Sequence, residues 1–150
     1  MRLFMENKKN DRGFSLLEIC IVIAMIAIVV AIAAPSLSAY YRSYKFNEYA
    51  FSMESLVRAS KLTAMERSVN VGVCVDGAAK TLSIVNMADS RSKSQICSGA
   101  VLNTLRIEDS FVSLSGSAIA FDPRGFAIFI GNVCLSNDTK HYKVVISRFG

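Results

Sequence analysis

The 150-residue sequence has no tryptophan, one histidine and two prolines, and none of its four cysteines forms a Cys-x-x-Cys pair. A single histidine excludes histidine-rich metal sites and chemistry that needs two imidazoles. Without Cys-x-x-Cys, thioredoxin-like and zinc-ribbon readings have no footing. Gly-x-Ser-x-Gly, His-Glu-x-x-His and phosphate-cradling glycine loops are also missing. The acids Glu108, Asp109 and Asp122 and the single His141 are scattered. Asp122 reads better as the opening of a turn over Pro123 and Gly125. No enzyme activity, cofactor or metal is therefore expected. A second run of about 20 apolar residues is lacking as well, which excludes a multi-pass membrane protein. There is no internal repeat and no low-complexity linker. The length suits one compact domain with an appendage.

What is present is unevenly spread. Hydrophobic residues make up 52% of the chain, and residues 19–41 contain no charge at all. That run excludes a disordered chain and a purely soluble one. Ahead of it lies a short basic stretch, with Arg2, Lys8, Lys9 and Arg12 against Glu6 and Asp11. Positive residues before a first apolar segment favour a cytoplasmic N-terminus. On apolar length alone, a signal anchor and a cleaved secretory signal are both open. The run exceeds the usual secretory core, but Ala33-Ala34-Pro35-Ser36 resembles a cleavage site. Glu18 separates them. A carboxylate at the head of an apolar helix costs roughly 2–4 kcal/mol or more in hydrocarbon without a partner. No Lys or Arg lies in the run to pair with it. A free α-amino group just upstream would serve.

Gly13-Phe14-Ser15-Leu16-Leu17-Glu18 resembles the class III signal of type IV pilins and type II secretion pseudopilins. The resemblance implies that a prepilin peptidase cuts between Gly13 and Phe14, that Phe14 is N-methylated, and that Glu18 acts in assembly. It also implies other major and minor pilins or pseudopilins and an inner-membrane assembly platform as partners. The chain would sit in the bacterial inner membrane as a single pass, N-terminus cytoplasmic and C-terminal domain periplasmic, and then enter a pilus or pseudopilus. Four segments follow: a cleaved leader at 1–13, a membrane and filament-core helix at 14–41, an amphipathic continuation at 42–67 and a periplasmic β-rich domain at 68–150. Pro35 resembles the family's helix-kinking proline. Read by itself, it marks either the end of a short membrane helix or a kink in a longer one.

Residues 36–67 hold neither Gly nor Pro, and Tyr49, Met53, Leu56, Val57, Ser60 and Ala64 recur at helical spacing. This predicts an amphipathic helix whose apolar stripe packs on the domain behind it. Tyr40, Tyr41, Tyr44 and Phe46 read as an interfacial belt or a subunit contact. After Arg67 the pattern turns to alternation. Strands are expected at 69–75, 81–87, 101–107, 111–114, 119–121, 126–130, 133–135 and 142–146, with a polar loop at 88–95 and turns at Ser115-Gly116 and 122–125. A long helix followed by short strands is an α+β architecture: a type IV pilin-like helix laid on a C-terminal antiparallel β-sheet domain.

A second resemblance covers most of the chain. Arg58-Ala59-Ser60 to Glu66-Arg67, the strand ending in Cys74, Phe121-Asp122-Pro123-Arg124-Gly125, Val133-Cys134-Leu135 and Lys143-Val144-Val145-Ile146-Ser147 are similar to the GspH/FimT group of minor pseudopilins and pilins. Its FimT-like members imply DNA as a partner, in uptake for natural competence. Those chains often carry a Gly-Arg-x-Arg tail, and Ser147-Arg148-Phe149-Gly150 departs from it. Removing the leader lowers the formal charge from +5 to about +3, a mild value. Lys140, Lys143 and Arg148 are the candidate DNA contacts, with solvated strand ends as the plainer reading. Cys20 falls in the membrane helix. Cys74, Cys97 and Cys134 fall in the exported part, where an oxidising compartment permits one disulfide. Cys74–Cys97 is favoured, Cys134 is an alternative partner, and three buried thiols remain open.

Overall fold

The computed structural model describes residues 15–149. Gly13 and Phe14 lie outside the described residues. One α-helix, α1 (Leu16–Arg67), is followed by eight strands. The chain divides into two compact units, one up to Tyr41 and one from Arg42 onward.

In the first unit the helix carries its apolar residues in the open. Leu16, Ile23, Val29, Ile32 and Leu37 are all exposed, Ile32 by 73%. An 18-residue window there reaches a mean hydropathy of 3.1. At 1.5 Å per residue, the charge-free run of residues 19–41 is about 34 Å long, enough to cross a hydrocarbon core of about 30 Å. The helix runs unbroken through Pro35, so that residue is no helix end. Proline has no N–H to donate to the carbonyl four residues back. Its own carbonyl accepts the Ser38 hydroxyl at 2.9 Å.

In the second unit the helix is one wall of a conventional core. Phe46, Ala50, Met53, Leu56, Val57, Ser60 and Ala64 are buried, a line repeating every three to four residues. Ser60 satisfies its hydroxyl on the Val57 carbonyl at 2.6 Å. Phe46 is only 3% exposed, which removes it from the expected aromatic belt. It sits four and seven residues before Ala50 and Met53, on the buried line, whereas Tyr44 is exposed.

The strands are β1 (Asn70–Asp76), β2 (Thr81–Ala88), β3 (Ala100–Arg106), β4 (Ser113–Gly116), β5 (Ile119–Phe121), β6 (Ala127–Phe129), β7 (Gly131–Ser136) and β8 (His141–Ile146). They form two antiparallel sheets, ordered β3-β2-β1-β5-β6 and β4-β7-β8. The β1–β2 hairpin closes because the Asp76 carboxylate accepts the N–H groups of Ala78 and Ala79, both at 2.9 Å. The expected strand at 111–114 starts later and runs further. Val112 N–H closes a turn on the Asp109 carbonyl. Ser115-Gly116, expected as a turn, continues β4 opposite Cys134 and Val133. The polar loop contains a single 3-10 turn at Lys93–Gln95. The main core joins the helix line to Val71, Val73, Leu82, Ile84, Ile119, Phe121, Val133 and Leu135. A smaller cluster holds Met87, Ile96 and Ala120. Gly72 admits Ile96 there, since a Cβ at that position would stand 2.7 Å from the Ile96 side chain.

Candidate functional site

The residues singled out from the sequence fall in three places. The first is the head of α1. The Glu18 N–H bonds to the Ser15 carbonyl at 3.0 Å, which places its carboxylate in the first helical turn. The unpaired N–H groups of that turn favour a negative charge. Glu18 is exposed, and residues 16–41 around and beyond it are exposed too. Among the described residues this surface is a single carboxylate in the first turn of an exposed apolar rod.

The second place is the disulfide. Cys74 in β1 is bonded to Cys97, 23 residues later, with Cα atoms 5.2 Å apart. The bridge fastens the 89–99 connection beside Ile96, which is 1% exposed. By the chain-entropy model a loop of this size contributes about 3 kcal/mol. Cys134 lies half-buried on β7 in the other sheet and is free, and Cys20 is free and exposed on α1.

The third place is the strip along β8. The candidate cations are strung out along it, not gathered. Lys140 precedes the strand, and its ammonium donates to the Ser43 hydroxyl at 2.7 Å. Lys143 lies on the outer face with His141 and Val145, as alternation requires. Arg148 lies beyond the strand, where its carbonyl accepts the Ala127 N–H at 3.3 Å. The structure instead brings Lys143 to a cavity of about 380 Å³ lined from α1 by Glu54, Val57, Arg58 and Lys61. Arg58 and Lys61 are not among the candidate contacts read from the sequence. Their signal was available: positions 54, 58 and 61 share one helical face.

The chemistry of that wall is well defined. Tyr142 donates its hydroxyl to Glu54 at 2.6 Å, and Arg58 donates to the same carboxylate through Nε and Nη2 at 3.0 and 2.6 Å. The Tyr142 hydrogen bond, then that of Arg58, holds the Glu54 carboxyl below the ordinary glutamate range. Its acceptance by Glu54 and then burial push the Tyr142 phenol above the ordinary tyrosine range. Burial, followed by a 3.0 Å hydrogen bond to Asp109, does the same for Tyr49. Asp109 is thus engaged in holding the helix, and its carbonyl accepts the Lys80 ammonium at 3.1 Å. Asp122 is 8% exposed and caps its own turn, accepting the N–H groups of Arg124 and Phe126 at 2.9 Å each. Gly125 holds the φ of +81° this turn needs. Among the described residues no group of three or more His, Cys, Asp or Glu is placed to hold a metal ion.

Residues 8–34 match the family pattern described as the prokaryotic N-terminal methylation motif. The fold behind that motif is type IV pilin-like: a long N-terminal helix whose second half packs on antiparallel sheets. Among solved proteins it is similar to the type IV minor pilin FimU of Pseudomonas aeruginosa. One crystal form superposes with a TM-score of 0.57 at 12% identity, over 74% of this chain and 88% of that one. A second crystal form gives 0.49 at 14% identity, over 69% and 87%. No curated protein sequence matches this chain significantly.

Proposed function

We propose that this chain is a minor pilin or pseudopilin of the GspH/FimT type, a structural subunit built into a type IV pilus or a type II secretion pseudopilus. The observation that carries the reading is the uncovered apolar front of α1 with Glu18 alone at its head. A prepilin peptidase removes residues 1–13, and Phe14 becomes the methylated N-terminus. In the inner membrane lipid covers the rod, with the β domain in the periplasm. In the filament other subunits' helices replace the lipid. Glu18 is then buried, and a buried carboxylate needs a partner, since an uncompensated one costs several kcal/mol. The Phe14 ammonium of a neighbouring subunit supplies it and fixes the axial offset, because only one offset pairs the charges.

The experiment is Glu18→Ala in a filament-forming host. Membrane insertion stays as in wild type, because the apolar run is untouched, while incorporation into sheared filaments is lost. Wild-type incorporation of the variant would refute the role given to Glu18. DNA capture is the lesser reading. The engagement of Lys140 with Ser43 and the spacing of Lys143 and Arg148 along the strand weigh against a phosphate-binding cluster.

A further inference from the structure

We infer that the free edge of β8 and the groove beside it form a docking site for an extended, acidic segment of another protein chain, added as a strand. The inference stands on the unit from Arg42 onward and does not depend on filament assembly.

A sheet edge is a row of unpaired N–H and C=O groups, and proteins blunt such edges by shortness, bulges or cover. Three of the four edges here are blunted. β6 has three residues and meets β5 through an irregular register. β4 has four residues and ends in Gly116. β3 is longer, but its register with β2 shifts at Ile84/Val85. β8 is different. Its six residues pair with β7 without a shift from Gly131↔Ile146 to Ser136↔His141, and among the described residues no strand pairs on its other side.

That edge opens on the groove already described. Five consecutive β8 residues, Tyr142 to Ile146, line it together with Glu54, Val57, Arg58 and Lys61 of α1. Two lysines reach between the helix and the C-terminal strip: Lys140 donates to the Ser43 hydroxyl, and Lys61, which lines the groove, to the Phe149 carbonyl at 3.4 Å. The groove's volume of about 380 Å³ falls within the range of ordinary ligand clefts.

The charges select the occupant. Arg58, Lys61 and Lys143 line the groove against one carboxylate, Glu54, which is already committed to Tyr142 and Arg58. The Arg58 side chain is 76% exposed, and the Lys143 ammonium has no hydrogen bond or ion pair among the described residues. Val57 and Ile146 give an apolar floor, and the exposed Val145 an apolar rim. An incoming strand alternating carboxylates with aliphatic side chains matches both features. Backbone hydrogen bonds to the β8 edge supply affinity, and the side chains supply selection.

The probe is a synthetic, end-capped pentapeptide alternating glutamate and valine, titrated into the full chain in detergent micelles while backbone amide signals are followed. Saturable shifts confined to residues 142–146 and the facing turn of α1 are expected, weakening as salt rises. Arg58→Glu combined with Lys143→Glu should weaken binding roughly tenfold or more by like-charge repulsion, with the remaining amide signals unchanged. A peptide N-methylated at alternate amides cannot complete the ladder and should not bind. Absence of shifts, equal binding of the N-methylated peptide, or indifference to the double charge reversal would each overturn the inference. So would a DNA duplex moving the same signals where the peptide does not.

Discussion

The two halves of α1 have similar appetite for apolar surroundings and meet it differently. From Leu16 to Tyr41 every residue is exposed, and the apolar side chains show all round the helix. From Phe46 to Ala64 one line of them is buried, and only Phe51 and Leu62 among the large ones stand exposed off that line. A helix apolar on all sides needs a solvent of hydrocarbon or other helices, whereas a striped one needs a single partner face. The same element is therefore built for two environments. The change falls near Arg42, the first charged residue after the apolar run.

If the halves are independent, damage to the domain should spare the apolar front half. The largest effect is expected for Phe121→Ala, a side chain 1% exposed in the core facing the helix line. It should cost the domain about 3–5 kcal/mol in denaturant unfolding. Membrane insertion of the same variant should be unchanged, and a loss of insertion would break the separation.

Next comes the covalent tie. Replacing Cys74 and Cys97 by Ser should lower domain stability by about 3 kcal/mol, read as a fall in the urea midpoint. Reduction of the wild-type chain should reproduce that fall. Because Cys20 and Cys134 are free, neither treatment should affect the front half.

The smallest effect is the pH response of the Tyr142–Glu54 bond, within the second half. Glu54 titrates lower in the folded chain than in the unfolded one. Its contribution is present above the unfolded carboxyl value and is lost as pH falls through the folded one. Tyr142 titrates higher when folded. Its contribution is complete below the unfolded phenol value and is lost as pH rises through the folded one. Tyr142→Phe should remove the part of the acid limb that this bond supplies and reduce the alkaline limb. Part of the alkaline limb should persist, because Tyr49 is also raised. Stability measured against pH for both chains checks this.

Much of this was legible in the residues because period is a local property. The buried helix line and the eight strands follow from spacing and alternation, within a residue or two at most ends. By sequence Phe46 groups with Tyr40, Tyr41 and Tyr44, because aromatics near a membrane boundary resemble a belt, although its offset from Ala50 and Met53 puts it on the core line. The division into two sheets was not legible, since β4 pairs with β7 across the intervening β5 and β6, a choice made by packing. Gly116 suggests a turn, yet it is the last residue of β4. A Cβ there would approach the Asn132 carbonyl oxygen to 2.2 Å, so the glycine permits close strand contact. The groove was hidden because Lys143 and Lys61 are 82 positions apart in the sequence and only the fold brings them together.

The central claim is that the apolar front half becomes the N-terminus of a filament subunit. The most direct measurement is the intact mass of the chain after coexpression with a prepilin peptidase, with fragmentation of its N-terminus. The account expects a chain beginning at N-methylated Phe14 and keeping the whole helix. A chain that retains residues 1–13, or one that begins at Pro35 after loss of the apolar run, would contradict it.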